Sequence, residues 1–147
     1  MKKKLFRRKV PKRRYYHKGK RCSKGEKRIA IFLDKHQIKY EMEKIFDDCK
    51  SPKNRPLRFD FYLEDYNVCI EFQGHHHYKP VNKYNKAKKI HTKTTIHDKI
   101  KREYVFNNGI FLIEIPHWNI DIFEEPLLKY LNQLICNEKY SQLKQVG

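Results

Sequence analysis

The chain has 147 residues, a length that suits one domain with a tail. Hydrophobic residues make up 39% of it and aromatic residues 14%, which excludes a wholly disordered chain. It contains no run of about 18 uncharged apolar residues, so a membrane-spanning helix is excluded. Residues 1–14 carry no apolar stretch behind their charges, so we expect no secretory signal, although an acid-poor leader also suits an organelle transit peptide.

The excess of positive charge is concentrated in two segments. Lys and Arg number 34 against 17 Asp and Glu, a formal net charge of +17. Residues 1–28 hold 15 of the basic residues and one acid, and residues 79–102 hold nine and one. Such blocks favour a polyanionic partner, of which nucleic acid is the commonest, although a solvated tail would have the same composition. Aromatic side chains among the charges could stack on bases: Phe6, Tyr15, Tyr16 and His17.

The four cysteines are scattered and form no C-x-x-C pair. Neither a four-cysteine zinc site nor a disulfide framework is expected from this spacing. We therefore predict reduced thiols and an intracellular location, in the cytoplasm, the nucleoid or a virus-infected cell, with an organelle left open.

In chain order, residues 1–22 are predicted to form a basic nucleic-acid-binding arm and residues 23–147 the main domain. Ser23 followed by Glu26 makes a capping box, in which each side chain accepts a hydrogen bond from the other residue's amide. This start signal predicts a helix over about 24–36.

Two runs of strict alternation are the most informative part of the sequence. Residues 57–63 and 68–73 each place apolar side chains on one face, and the short EDYN connection predicts an antiparallel hairpin. Before them, residues 38–46 also alternate and predict a strand, whereas residues 47–56, with two prolines, predict a loop. The positions expected to face one core are Leu57, Phe59, Phe61, Leu63, Val68, Ile70 and Phe72.

Asp60, Glu71 and Gln73 then share the opposite face of neighbouring strands. Two carboxylates side by side on a sheet indicate a cationic group between them. Phosphodiester hydrolysis needs an activated water and a stabilised leaving oxygen, and Mg²⁺ (or Mn²⁺) held by one or two carboxylates supplies both. The pattern therefore predicts a divalent-metal site on this face, which Glu26 could reach if the first helix lies over the sheet.

Residues 74–94 are predicted to form a polar, basic loop, long enough to be functional. Residues 95–108 predict a helix that ends at Gly109, with Asp98 and Arg102 paired at i, i+4. The buried stripe of this helix is expected at Ile96, Ile100, Tyr104 and Val105.

Residues 110–115 are nearly all apolar and β-branched, which predicts a central strand that Pro116 ends. Trp118 is interpreted as a packing anchor rather than a base-stacking residue. Asp121 could cap a final helix over 122–136, and the order of elements predicts an α/β fold with a mixed sheet of about four strands flanked by helices. The inward positions of that last helix are Leu127, Leu128, Leu131, Leu134 and Ile135.

The chain also carries, in order, the segments SKGEKRIAIFL, FDDC, RPLRFDFYL, CIEFQGHHHY, HDKIKREY and GIFLIEIPHW. Together they resemble the PD-(D/E)XK nuclease superfamily, and more specifically a phage and giant-virus endonuclease-like group related to very-short-patch repair and homing endonucleases. The resemblance covers about residues 23–125. It implies a restriction-endonuclease-like fold and Mg²⁺-dependent hydrolysis of DNA, of a homing or repair-type nicking kind.

The resemblance implies roles for the residues that match the motifs of the group. Asp60 and Glu71 would bind the metal, with Glu26 as the acid of the first helix. Gln73 stands where the superfamily more often has lysine. Lys101, or less readily Lys99, on the following helix could supply that missing charge.

His77 matches a histidine that recurs in the group, and it could bind metal or contact the scissile phosphate. The group often carries a Cys-rich zinc module before the SKGE segment, of which only Cys22 is present here. The basic arm would then grip the nucleic-acid backbone in its place. The expected nucleic-acid-binding residues are Arg7, Arg8, Arg13, Arg14, Tyr15, Tyr16, Arg21, Lys79, Lys83, Lys88, Lys89 and Arg102.

Each assignment has a plainer alternative. Asp60 and Glu71 could pair with Arg58 or Lys101 on a solvated face, and Glu26 could act only as a cap. Because glutamine replaces the usual lysine, the chain could also be a catalytically inactive nuclease fold that serves as a structural DNA- or RNA-binding component, for example in a ribonucleoprotein assembly. As partners we expect DNA rather than RNA, no membrane, and either a homodimer or a larger nucleoprotein assembly.

Overall fold

The computed structural model describes residues 15–78 and 85–144 of the chain. These residues form six strands, three helices and three single turns of 3₁₀ helix. The strands are β1 (Tyr15–His17), β2 (Lys20–Cys22), β3 (Glu41–Lys50), β4 (Pro56–Leu63), β5 (Val68–Gln73) and β6 (Phe111–Pro116). The helices are α1 (Lys24–Lys35), α2 (Asn85–Asn107) and α3 (Glu124–Lys144).

The main sheet has four strands in the spatial order β3-β4-β5-β6. β3, β4 and β5 are antiparallel neighbours, and β6 lies parallel to β5, with α2 between them in the chain. The expected mixed α/β fold is confirmed, as is the hairpin of β4 and β5. The prediction of a central strand over residues 110–115 is wrong, because β6 lies at the sheet edge. The sequence of β6 is apolar because helices cover both faces of the sheet. This pattern does not indicate whether the strand lies at the centre or at the edge.

Helices cover both faces of this sheet and create two hydrophobic cores. The first core lies under α1 and α3, and it includes Ile29, Phe32, Leu33, Phe61, Leu63, Val68, Ile70, Ile115, Leu127 and Leu131. The second core lies under α2, and it consists of Cys49, Leu57, Phe59, Cys69 and Val105, with Ile100 and Tyr104 packed against it. The sheet is therefore sandwiched, and a polar group on either face must find its partners between strand and helix.

The side chains of β4 change faces at Asp60. Phe59 belongs to the second core and Phe61 to the first, so the predicted single apolar face of residues 57–63 is wrong. On the neighbouring strand β3, Glu43 has a left-handed backbone with φ of 56°, which marks the same irregularity. Irregular strand geometry of this kind is common beside functional sites.

The N-terminus of α1 lies directly against β5. The predicted capping box is confirmed: the Glu26 amide donates to Ser23 Oγ and the Ser23 amide to Glu26 Oε2, each at 3.2 Å. A Cβ atom at Gly25 would overlap the ring of Phe72, so only glycine allows this close approach. Glu26 is thereby placed next to the strand that carries Glu71.

Two predicted loops are shorter than expected. β3 continues to Lys50, which pairs with Pro56, so the prediction of a loop from residue 47 is wrong. α2 begins at Asn85, so the predicted loop over 74–94 is wrong from that residue on. The N-terminal part of α2 has no apolar period for a pattern to detect, and Ile96, predicted to be buried, is 43% exposed.

Two predicted side-chain roles near the helices are also wrong. α3 begins at Glu124, so Asp121 does not cap it; the Asp121 carboxylate instead accepts from Arg28 of α1. Asp98 and Arg102 do not form the expected ion pair, because each has a nearer partner outside α2. The left-handed end of α2 is confirmed at Gly109, whose φ is 64°. Of the predicted inward residues of α3, Leu127 and Leu131 are buried, and the two packed beside them are Leu128 and Leu134.

β1 and β2 form a small separate hairpin that contacts α1. Residues 1–14 of the expected arm lie outside the described residues. All four cysteines are free thiols, as predicted, and only Cys136 is exposed. Within residues 15–78 and 85–144, no helix combines the length and the apolar character that a membrane crossing requires.

Candidate functional site

Asp60 and Glu71 meet where β4 and β5 stop pairing. Their regular register extends from Leu63 opposite Val68 to Phe61 opposite Ile70. At the next position each carboxylate binds the other strand's backbone. Asp60 Oδ2 accepts from the Phe72 amide at 2.7 Å, and Glu71 Oε1 accepts from the Asp60 amide at 3.2 Å.

This exchange leaves two carboxylates close together in a partly buried position. Burial and the nearby Glu71 charge raise the pKa of Asp60 well above its ordinary value, against the opposing effect of the Phe72 amide. Burial also raises the pKa of Glu71, although Lys101 acts in the opposite direction. A pair of this kind gains free energy from any cation that enters between its members.

Lys101 projects from α2 onto Glu71. Its Nζ lies 2.9 Å from both Glu71 oxygens, and the two side chains are 13% and 7% exposed. The ammonium also lies 5.2 Å from the centroid of the Phe59 ring. A partly buried lysine therefore lies at the acidic pair, which is the geometry expected if α2 supplies the charge that Gln73 cannot.

Gln73 belongs to a second group of hydrogen-bonded polar side chains, which lies beside the group formed by Asp60, Glu71 and Lys101. Its Oε1 accepts from the Tyr78 hydroxyl at 2.7 Å, and its Nε2 donates to Glu114 on β6. Arg102 of α2 donates hydrogen bonds to the same Glu114 carboxylate from Nε and Nη2, with an Nη2–Oε1 distance of 2.8 Å. Glu114 lies opposite Glu71 in the β5–β6 register, so the two chains run side by side across the sheet.

His77 and Asp98 form a pair that the sequence pattern did not predict. His77 Nδ1 lies 2.7 Å from Asp98 Oδ2, and the Asp98 side chain is 10% exposed. Because the carboxylate can only accept, Nδ1 carries the proton and Nε2 of a neutral ring is left as an acceptor. One feature of the sequence could have indicated a special role for Asp98: it is the only acid in the basic segment 79–102.

His77, Asp98 and Lys101 line one wall of a cavity of about 910 Å³. The opposite wall comes from the β3–β4 connection. Asp60 and Glu71 are not part of the lining, and Lys101 links them to it. Basic side chains lie around this cavity at Lys53, Arg55, Arg58 and Lys93.

Glu26 lies nearby but is already engaged. Its carboxylate accepts from the Ser23 amide, as a helix cap does, and its charge contributes to the raised pKa of Asp60. Within residues 15–78 and 85–144, no three His, Cys, Asp or Glu side chains converge as a metal-binding cluster. Asp60 and Glu71 are the two acids of the site that could hold a divalent ion, with water and substrate completing its shell.

The expected nucleic-acid contacts are only partly placed. Tyr16 is 53% exposed and Arg21 is exposed, whereas Arg102 is bound to Glu114. Tyr15 lies on β1, but its side chain is outside the described part of the chain. Lys88 and Lys89 lie on α2 with side chains that are likewise not described, and the positions outside the described residues altogether are Arg7, Arg8, Arg13, Arg14, Lys79 and Lys83.

Among solved structures, the catalytic domain of the homing endonuclease I-Bth0305I is similar to this chain. The two share 20% sequence identity and a TM-score of 0.51, over 78% of this chain and 99% of that domain. No family model matches the chain, and no curated protein matches it. The described chain thus has the fold of a nuclease catalytic domain.

Proposed function

We propose that this protein is an endonuclease that hydrolyses phosphodiester bonds in DNA with the help of Mg²⁺ or Mn²⁺. The observation that carries the proposal is the pair of hydrogen bonds in which Asp60 and Glu71 each accept from a backbone amide of the other strand. These bonds bring two carboxylates together at the point where β4 and β5 diverge. The fold shared with a homing endonuclease catalytic domain supports a DNA substrate. We further assign the chain to the PD-(D/E)XK superfamily and its phage and giant-virus group.

The donor set at this position fits a magnesium ion. Asp60 and Glu71 would hold the ion, because hard oxygen ligands and a local excess of negative charge are what it requires. When bound, the ion would polarise the phosphate and offset charge on the leaving oxygen. Glu26 is close enough to add to the field, while its cap bond keeps α1 in place.

Lys101 acts in this proposal as the catalytic lysine. Its ammonium lies at hydrogen-bonding distance from Glu71 and also lines the cavity that would receive the substrate. In the absence of a divalent ion it offsets the charge of Glu71. With a phosphate in the cavity, the same ammonium can contact a phosphate oxygen and neutralise charge that develops during attack.

His77 is proposed to move the proton. Asp98 fixes the ring through Nδ1, so Nε2 is the atom left to accept a proton from the attacking water or to return one to the leaving oxygen. Asp98 is a positioning residue, since it acts through His77. Gln73 is bound to Glu114 and Tyr78, so it braces the site and does not replace the superfamily lysine.

DNA would be held by the basic surroundings of the cavity and by the arm. Lys53, Arg55 and Lys93 line the cavity and can neutralise neighbouring phosphates, and Arg58, which is paired with Glu43, lies beside them. Residues 1–28 add a net charge of +14. Binding should therefore weaken steeply as salt rises, because each phosphate contact releases counterions.

A plasmid assay tests the proposal. We expect the full chain to convert supercoiled plasmid to nicked or linear forms with Mg²⁺ or Mn²⁺, and not with EDTA. Asp60→Asn should abolish cutting, whereas Asp65→Asn, at an exposed acid just after the same strand, should cut like the wild type. Equal cutting by Asp60→Asn and wild type would refute the assigned site.

A second candidate function is a nuclease fold that binds DNA or RNA without cutting it. The observation that favours it is the closed arrangement around Glu71 and Gln73, whose polar atoms are occupied by Lys101, Tyr78 and Glu114. On this alternative, wild type and Asp60→Asn would bind DNA equally and neither would cut it in Mg²⁺.

A further inference from the structure

A cluster of aromatic rings lies at the surface next to the proposed active site. His75 and Tyr78 follow the end of β5, and His117 and Trp118 follow the end of β6. The ring centroids of Tyr78 and Trp118 are 4.4 Å apart, and those of His117 and Trp118 are 4.9 Å apart. His75 and His117 are in contact with centroids 3.6 Å apart.

This cluster is open to solvent, contrary to the interpretation of Trp118 as a packing anchor. Trp118 is 57% exposed and Tyr78 is 37% exposed. A half-exposed indole contributes less to the free energy of folding than a buried one, because much of its apolar surface stays in contact with water. Phe106 is more exposed still, at 84%, but makes no ring contact among the described residues, so it serves as a reference for a lone exposed ring.

We propose that the exposed Trp118 ring, with the Tyr78 ring packed against it at an interplanar angle of 52°, forms a stacking platform for an unstacked nucleobase of the substrate. The occupant follows from position and charge. Gln73 and Pro116, the last residues of two parallel strands, lie opposite each other, so both aromatic turns meet at one end of the sheet. The Tyr78 hydroxyl is bound to Gln73, two residues from Glu71, so a ring on this platform would sit close to the scissile bond.

The charge of the chain favours nucleic acid as the occupant of this cluster. A chain of net charge +17 attracts polyanions. Nucleic acid is a polyanion that carries a flat aromatic base on every nucleotide. Burial and the neighbouring His75 lower the pKa of His117.

The proposal rests on the proposed function for its substrate class and narrows that class. A base can stack on protein only after leaving its place between neighbouring bases. The preferred substrate would therefore be single-stranded, gapped or sharply kinked next to the cleavage point, rather than uniform duplex. Stacking adds affinity without sequence readout, because every base has a flat face.

Trp118 is the only tryptophan of the chain, so its fluorescence reports the platform directly. Without divalent ions, the full chain is titrated with a dT oligonucleotide and with an abasic oligonucleotide of the same length. Binding is followed in parallel by anisotropy of a label on the DNA. At equal saturation we expect the dT strand to quench Trp118 and the abasic strand to leave it unchanged. Equal quenching by both, or none by either at full saturation, would overturn the platform and leave this face to another partner.

Variants separate stacking from folding. Trp118→Ala should weaken dT binding about 10-fold, the value expected for loss of one stacked base, and leave abasic binding unaltered. Trp118→Phe should retain most of the affinity, and Phe106→Ala, at the lone exposed ring, should bind like the wild type. A Trp118→Ala protein with a wild-type circular dichroism spectrum and undiminished dT binding contradicts the proposal. Cutting plays no part in these measurements, so their failure is distinct from failure of the proposed nuclease activity.

Discussion

The ion pair between Lys101 and Glu71 should be one of the most sensitive positions in the chain. Both side chains are nearly buried, and Nζ lies 2.9 Å from each carboxylate oxygen. Replacing Lys101 by methionine keeps the length and apolar stem of the side chain but leaves Glu71 buried without its partner. Breaking one side of a buried pair costs about 3–5 kcal/mol, so we expect Lys101→Met to lose that much stability at pH 7 without divalent ions.

Lys99→Met is the matched control on the same helix. Lys99 and Glu103 are 77% and 62% exposed and 3.8 Å apart, so their pair should contribute only about 0.3–0.5 kcal/mol. Urea unfolding followed by circular dichroism measures both variants. The double variant Lys101→Met with Glu71→Gln should recover most of the loss, because no buried charge is then left unpaired.

The pH dependence of the Lys101→Met loss has a definite sign. The pKa of Glu71 is already raised above its ordinary 4.5, and removing Lys101 raises it further. Above pH 4.5 the carboxyl group of Glu71 loses its proton more readily in the unfolded Lys101→Met protein than in the folded one. The stability of this variant therefore falls as pH rises. The loss should be full at pH 7 and should shrink on acidification towards 4.5. A loss below about 1 kcal/mol at pH 7, or one that is constant with pH, would refute the buried-pair reasoning.

Three further predictions concern the surroundings of the site. Asp60→Asn should make the ion-free protein more stable at pH 7, since a carboxyl whose pKa is raised destabilises the fold once ionised; a thermal melt that shows a less stable variant contradicts this. Gly25→Ala should lose about 1–3 kcal/mol in urea unfolding because its methyl group overlaps a ring on β5, whereas Gly74→Ala, where a Cβ meets open space, should stay within about 0.5 kcal/mol. His77→Ala should slow cleavage about 10²–10⁴-fold, and Asp98→Asn should change the pH profile of cleavage with DNA affinity retained; an unaltered profile speaks against the positioning role.

The sequence was sufficient for features that depend on neighbours in the chain. The capping box joins residues three apart, and the hairpin of β4 and β5 follows from two alternating runs with a short turn. The fold class followed from the order of such elements. Asp60 and Glu71 were predicted from the two alternating runs and Lys101 from the motif resemblance, and the structure brings these three side chains together.

Features that depend on distant partners were not accessible. Asp98 was assigned to Arg102, four residues away, but binds His77, 21 residues away, and Arg102 binds Glu114 on β6. A helix pattern identifies which residues face inward, but not which strand they meet. The break of alternation at Asp60 was also hidden, because a pattern with period two assumes an unbroken pleat.

The central claim is that Asp60 and Glu71 jointly hold a divalent ion, and a crystal soaked in Mn²⁺ tests it most directly. Anomalous scattering locates the ion without reference to activity. We predict one strong peak within about 2.3 Å of an oxygen of each carboxylate, with Lys101 displaced from at least one Glu71 oxygen, and no such peak in Asp60→Asn crystals. No peak between these carboxylates in the wild type, with Lys101 still bound to both Glu71 oxygens, would contradict the account.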